Sequence, residues 1–438
     1  MINHQYLTMN RPLNVEVVQK QQSRASQDHI KESVHKFLSK FAYLNPGASL
    51  SGRALEECPE VAAHVEAITF CDLEYEKPVE PATVELRYLV HALDSRGAEP
   101  EGAEDGEEGA AAELWALPAR EFHGLWESLV FESALKRDTV RLVESALELG
   151  ALGVDPLVVG WNRVVLLHGP PGTGKTSLCR ALAHKLAVRL GPRYPRARLL
   201  EINAHSLFSK WFAESGKLVA RLFERVRDVA SDPRLLACVL VDEVESLATA
   251  RHAAVAGLEP SDGIRAVNAL LAQLDRLRRL PNVLVLTTSN VTGAIDVAFA
   301  DRADIKRRVG PPTARAAYTI LRGCCAELAA RGALAPAATP PPATPPVTLP
   351  TATQPARALW AVACEASAAR VSGRALRRLP FLALALHAPP APDTPQFVAA
   401  LHAALRQHLQ DDAAFHEDEP AAHRPLPNGT SPHACDSQ

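Results

Sequence analysis

Aromatic residues make up only 5% of the 438-residue chain, methionine occurs twice, and no Lys/Arg run exceeds a few positions. A protein that tracks single-stranded nucleic acid needs stacking rings interleaved with a basic stripe, so this composition speaks against nucleic acid as a direct substrate. No stretch approaches the roughly 18 consecutive apolar residues of a membrane span. The opening MINHQYLTMNRP lacks a charged segment followed by an apolar one, the mark of a secretory signal. A soluble, non-secreted protein without a membrane partner is expected. CxxC pairs and Cys/His spacings are also missing. The eight cysteines, at 58, 71, 179, 238, 324, 325, 364 and 435, are scattered, which favours reduced, buried thiols over a disulfide framework or a metal site.

The chain does have enough apolar residues, 47%, for sizeable cores, which excludes wholesale disorder. Its length suits two or three domains. Composition breaks in three places. Residues 94–113 carry eight acidic residues and one Arg, and read as an acidic, solvated linker. Residues 333–357 hold eight prolines among Ala and Thr and read as an extended, poorly ordered insertion. The stretch 409–438 is polar and reads as a disordered tail. These breaks leave an N-terminal unit over 1–113, a central unit over 114–332 and a C-terminal unit over 358–408. The formal net charge of -3 is therefore a sum over unlike parts: the acidic linker and tail offset a body that is net basic.

In the first unit LNVEVVQ (13–19), VEAITFCDLEY (65–75) and VELRYLVHAL (84–93) alternate as strands do, and HIKESVHKFLSKF (29–41) has helical periodicity, so a small α+β domain is predicted. The central unit alternates apolar strands with amphipathic helices, the pattern of an α/β fold with a parallel sheet. The last unit is helical in pattern. No internal repeat is present.

Chemistry concentrates in the central unit. Gly169, Pro170, Pro171, Gly172, Thr173, Gly174, Lys175 and Thr176, with Ser177 after them, follow an apolar strand and open a helix. In that context the pattern is a phosphate-binding loop: the glycines allow backbone N–H groups to wrap phosphates at a helix N-terminus. Lys175 is placed to reach the β- and γ-phosphates of ATP, and the Thr176 hydroxyl to ligate Mg²⁺. A second apolar strand, LLACVLVDE, ends in Asp242 and Glu243. Asp242 would hold Mg²⁺ and Glu243 would act as general base on the attacking water; a bare pair of surface carboxylates is the alternative. A third strand, NVLVLTTSN, ends in Thr287, Thr288, Ser289 and Asn290, where an amide can orient that water, although polar residues after a strand are also ordinary turn chemistry. Arg302 and Arg374 are candidates to neutralise charge in the transition state, and equally ordinary surface arginines.

The segments WNRVVLLHGPPGTGKTSLCRALAHKL (161–186), EINAHSLFSKWFAESGKLV (201–219), VLVDEVESLATAR (239–251), LTTSNVTGAIDVAFADRADIKRRVGPP (286–312) and SGRALRRLPFLALAL (372–386) resemble the AAA+ ATPases. Within them the resemblance is to the pachytene checkpoint protein 2 family, also called thyroid hormone receptor interactor 13. It spans about 1–332 and 358–408. It implies a P-loop AAA+ parallel sheet with a helical lid, preceded by the small N-terminal domain for substrate and adaptor recognition. By the resemblance Asn290 takes the sensor-1 role, Arg302 that of an arginine finger acting across a subunit boundary, and Arg374 the sensor-2 role. Lys210, Trp211 and Phe212 match the first pore loop, in which an aromatic ring grips an extended peptide; a Trp–Phe pair anchoring a helix in the core is the alternative. Residues 251–262 would form the second pore loop. The family's activity is then implied: a homohexamer that uses ATP hydrolysis to convert HORMA-domain proteins from closed to open, with a HORMA-like adaptor, in spindle-checkpoint silencing and meiotic chromosome synapsis. Nucleus and chromosomes, with a cytoplasmic pool, are the implied location. The competing expectations are a DNA motor or clamp loader on the same scaffold, and a nucleotide-gated scaffold without turnover, against which Glu243 speaks.

Overall fold

The computed structural model describes residues 12–71, 78–101, 112–131, 134–155, 158–161, 163–204, 215–246, 262–277, 279–290, 297–335, 341–342 and 353–417. The chain forms two compact units, Met1–Gly310 and Pro311–Gln438.

The first unit opens with a four-stranded sheet. Strand β1 (Leu13–Gln19) lies between β3 (Val65–Cys71), antiparallel, and β4 (Leu86–Ala92), parallel, with β2 (Ser49–Ser51) on the edge beyond β3. Side chains alternate across a strand. Leu13, Val15 and Val17 therefore share one face of β1 and pack on Ile30, Val34, Phe37 and Leu38 of helix α1 (Gln27–Leu38). The Ser26 hydroxyl caps α1 by accepting from His29 N at 3.3 Å. Short helices α2 (Arg53–Glu56) and α3 (Pro59–His64) close that core, with Val61 fully buried. Asn14 and Glu16 on the opposite face of β1 are buried too, so this sheet is covered on both sides.

The larger sheet has seven strands, ordered β11-β7-β10-β9-β8-β6-β5: β5 is Ala98–Glu101, β6 Ala112–Leu117, β7 Val164–His168, β8 Arg196–Asn203, β9 Leu235–Asp242, β10 Val283–Ser289 and β11 Ile305–Arg308. The five strands from β11 to β8 are parallel, as the alternating pattern predicts. Their near-continuous apolar runs reflect cover on both faces. Val164, Leu166, Val239, Val241 and Val285 point to one layer, which includes Val219, Phe223 and Val226 of α7 (Ser215–Ala230) and Leu270, Leu274 and Leu277 of α8 (Asp262–Leu277). Val165, Leu167, Cys238, Leu240 and Leu286 point to the other, which includes Leu178, Leu182 and Leu186 of α6 (Lys175–Arg189) and Val140, Val143 and Leu147 of α5 (Leu135–Ala151). Preceding α5 is the single-turn helix α4 (Leu125–Ser128). Helix α6 is buried nearly all round, because the four-stranded sheet packs on the side the large sheet leaves open.

Three expected boundaries move. The linker expected over 94–113 is, in its described part, a β-arm: β6 runs antiparallel to β8 from Ala112 opposite Ile202 to Leu117 opposite Ala197, and β5 pairs with β6. Burial of Leu114, Trp115 and Leu117 recruits it to the large sheet, so this sheet begins well before residue 114. The central unit ends earlier than 332, because α10 (Ala314–Ala330) buries Tyr318, Ile320 and Leu321 against α11 (Gln354–Ala368) and α12 (Gly373–Leu382) in the second unit. The proline-rich stretch thus falls inside the helical unit, and Pro341 and Pro342 are docked on α10, their carbonyls accepting from Arg322 Nε at 2.8 Å and Tyr318 Oη at 3.0 Å. The tail expected from 409 begins as helix: α13 runs Thr394–Glu417. A short α9 (Val297–Ala300) precedes β11 in the first unit. Among the described residues no helix is long and apolar enough to cross a membrane.

Leu286 is fully buried at the centre of the large sheet, whereas Leu152 is 73% exposed. Leu286→Ala is expected to cost about 2–5 kcal/mol and Leu152→Ala less than about 0.5 kcal/mol; urea unfolding of the two variants checks the contrast.

Candidate active site

The chain leaves β7 for β8, three strands away, and the intervening positions are taken by β10 and β9. Such a switch in strand order opens a crevice at the C-terminal ends of the strands. The loop 169–174 fills the end of β7 and turns into α6 at that crevice.

Gly169 is needed by sterics. It has φ +142° and a Cβ there would lie 2.2 Å from the Val309 carbonyl oxygen. Its N–H donates to Ser289 O at 3.1 Å, and Val309 N donates to His168 O at 2.8 Å, so the loop's first residue is held between the ends of β10 and β11. Gly174, at φ +92°, caps α6. The Thr173 hydroxyl donates across the loop to Pro170 O at 2.9 Å. Lys175 is buried, its ammonium donating to Gly169 O and Pro170 O at 2.8 Å each. Burial, then the positive charges of Arg308 and Lys175, hold the His168 imidazole below its ordinary pKa. That imidazole is thus uncharged at neutral pH, which leaves the positive charge beside the loop to Lys175 and Arg308.

Asp242 is the hub of the acidic side. Thr176 Oγ1 donates to its two carboxylate oxygens at 2.9 and 3.1 Å, and the Thr288 hydroxyl donates to Oδ1 as well. Thr288 also holds the neighbouring residue: its Oγ1 accepts from Glu243 N at 3.2 Å and its carbonyl from Val244 N at 3.0 Å. Glu243 has φ +60°, a left-handed conformation that a non-glycine residue adopts at a cost of about 1–3 kcal/mol. The turn after it is closed by Ser246, whose Oγ donates to Glu243 O at 2.8 Å. Asn290 follows β10 and its N–H donates to Glu245 Oε1 at 3.1 Å.

Of the residues expected from sequence, the structure brings the phosphate loop, Thr176, Asp242, Glu243 and Asn290 to the ends of three adjacent strands. Arg302 forms a two-pronged pair with Asp275 of α8, Nε and Nη2 donating at 2.9 and 2.8 Å. Arg374 is exposed at the second position of α12 in the second unit. Lys210, Trp211 and Phe212 lie outside the described residues, as does the second pore loop expected over 251–262, apart from Asp262, which opens α8. Thr288 is the residue the sequence reading passed over in favour of Asn290. Its signal was present: a Thr–Thr pair ending an apolar strand, of which Thr287 satisfies itself on Val165 O at 3.0 Å and leaves Thr288 for the crevice.

The donor set fits a nucleotide with its metal. The glycine loop has no room for a Cβ at Gly169, and Thr176 and Asp242 offer hard oxygen ligands of the kind Mg²⁺ takes.

Three family models match the chain: TRIP13 N-terminal domain over residues 8–96, ATPase family associated with various cellular activities (AAA) over 165–311, and TRIP13-like AAA+ ATPase lid C-terminal domain over 313–409. The chain is 41% identical over 407 residues to the Pachytene checkpoint protein 2 homolog of Rattus norvegicus, covering 91% of this chain and 94% of that protein. To the homolog of Oryza sativa it is 54% identical over 280 residues, 63% of this chain and 59% of the rice protein. The aligned stretch is thus less than two thirds of the rice relative's length. Among solved structures it is similar to Caenorhabditis elegans PCH-2, with a TM-score of 0.77, 32% identity, and cover of 92% of this chain and 100% of the other.

Two substitutions probe the geometry. Gly169→Ala is expected to abolish nucleotide binding, read by titration with a fluorescent ATP analogue. Thr288→Val removes the donor to Asp242 and the acceptor for Glu243 N; turnover is expected to fall at least tenfold, about the 1–3 kcal/mol of a buried polar group left unpaired, with nucleotide affinity changed less and Thr288→Ser restoring most of the loss.

Proposed function

Because the chain belongs to the pachytene checkpoint protein 2 family of AAA+ proteins, we propose that it is an ATPase that spends hydrolysis on remodelling HORMA-domain proteins, from closed to open, as a homohexamer. The observation that carries the enzymatic part is the linked set Thr176–Asp242–Thr288–Glu243, which holds a strained glutamate at the strand end beside the phosphate loop. A protein that only bound nucleotide would have no need of a carboxylate held in a left-handed turn.

The residues divide the work by chemistry. Backbone N–H groups of Gly172–Thr176 at the start of α6 bind the phosphates. Lys175 exchanges its two loop carbonyls for phosphate oxygens, which are stronger acceptors for an ammonium. Thr176 and Asp242 would hold Mg²⁺, which when bound neutralises charge between the phosphate oxygens. Glu243 takes the proton of the attacking water, and Asn290 orients that water from the end of β10. Arg302 leaves Asp275 to reach a neighbouring subunit's γ-phosphate, and Arg374 answers from the helical unit; both supply positive charge where the transition state gathers negative charge. Lys210, Trp211 and Phe212 grip the client in a central channel, where a flat ring contacts any chain with little sequence demand. The N-terminal sheet receives the client with a HORMA-like adaptor. We place the activity at chromosomes and in the nucleus, in checkpoint silencing and meiotic synapsis.

The test is ATP hydrolysis with and without a closed HORMA protein and its adaptor, beside single- and double-stranded DNA. Stimulation by the HORMA protein is expected; stimulation by DNA alone would replace this reading by that of a DNA motor. Glu243→Gln is expected to keep ATP binding and lower turnover by about 10²–10⁴-fold. Trp211→Ala is expected to lower client conversion per ATP hydrolysed at least tenfold, and full conversion would assign the ring to the core instead.

A further inference from the structure

The helix that begins at the phosphate loop ends in a buried charge cluster. Lys185 is 2% exposed, and its ammonium donates to three acceptors: Glu16 Oε2 on β1 at 2.7 Å, Glu127 Oε1 on α4 at 3.0 Å and Cys71 Sγ on β3 at 3.1 Å. An ammonium has three N–H donors, and all are used. The acceptors come from three segments, two of them strands of the N-terminal sheet. One turn further on, Arg189 adds a hydrogen bond to Cys71 O at 3.4 Å and an ion pair to Glu144 at 3.5 Å. Glu16, Cys71 and Glu127 converge as metal ligands do, but the position a cation would take is that of the Lys185 ammonium. Burial alone would lower the Lys185 pKa and raise that of Glu16; the carboxylates of Glu16 and Glu127 reverse the first, and Lys185 the second, so both stay charged.

A charged group sealed away from water with each proton committed resists displacement of any partner, since removing one leaves an uncompensated buried charge. The N-terminal sheet is thus tied to α6 at a point ten residues from Lys175, about 15 Å along the axis at 1.5 Å per residue. Helix α6 is buried nearly throughout, so it moves as a rod. Tilting the rod by about 4° about its far end displaces the loop end, about 15 Å away, by about 1 Å, and a misplacement of that size costs about 10²-fold in rate.

We propose that Lys185 is a positioning residue for nucleotide hydrolysis: it joins the N-terminal sheet and the phosphate-loop helix into one rigid body, so that load taken up by the sheet is delivered to the loop as a tilt of α6. This deepens the proposed function and rests on it for the source of the load. The linkage itself is client-independent and can be read without one.

The full chain is compared with K185M, E16Q, the double variant and K185R, each normalised to nucleotide-binding sites titrated, so that unfolded protein does not count. Without client, K185M is expected to raise amide hydrogen exchange at residues 13–19 and 169–176 together by at least tenfold. Turnover per site is expected to fall at least tenfold with KM for ATP within about threefold. K185R should recover most of the loss, and K185M/E16Q should lose less than the two single variants combined. With a HORMA client, the ratio of stimulated to basal rate should collapse in K185M. Unchanged turnover per site, or faster exchange confined to the N-terminal sheet, would reduce Lys185 to a structural anchor and overturn the proposal. Should K185M not fold, E127Q, whose carboxylate is one-third exposed, makes the same measurement in milder form. If the unaltered chain hydrolyses ATP but ignores HORMA proteins, the functional reading fails while the exchange and turnover arms still judge the linkage.

Discussion

The active crevice depends on one carboxylate. Asp242 accepts from Thr176 on the helix side and from Thr288 on the sheet side, and so fixes the phosphate loop relative to the strand that carries Glu243. The backbone repeats the link: Gly169 N donates to Ser289 O, and Val244 N to Thr288 O. Pinning three parallel strand ends in this way lets a left-handed Glu243 persist, because its conformational cost is met by hydrogen bonds that only this register provides.

The same logic explains why the parallel sheet is so apolar. Helices cover both its faces, so polar groups are confined to strand ends, where the chemistry is. Thr287, Thr288 and Ser289 are all buried at the end of β10, where the apolar run yields: Thr287 is satisfied within the sheet and Thr288 serves the crevice. Helix α6 departs most from the usual amphipathic pattern. With the large sheet on one side and the N-terminal sheet on the other, it has almost no solvent face, and its Lys185 is charged only because Glu16 and Glu127 are brought to it.

Much of this was legible in the residues. Strand β1, helix α1, the alternation of strands and helices after residue 161, and the phosphate loop in its strand-to-helix context follow from periodicity and local sterics. Boundaries were less legible. The β5–β6 arm reads as an acidic linker because its apolar residues, Leu114, Trp115 and Leu117, are few and their partner β8 is about 80 residues away along the chain. Helix α10 reads as part of the central unit because nothing in its sequence says which core its buried face joins. Thr288 and Asp275 escaped notice for a similar reason: a threonine or an aspartate acquires a role from what faces it.

The sequence by itself determined the elements that local physics controls: glycines where a Cβ cannot stand, apolar periods, and acidic residues at the end of a buried strand. The pairing of distant groups was decided only by the tertiary structure. Glu16 and Lys185 are separated by 169 positions, and Thr288 and Asp242 by 46. Charge and hydrogen-bond energies depend on distance and burial, which are properties of the packed chain and not of its order.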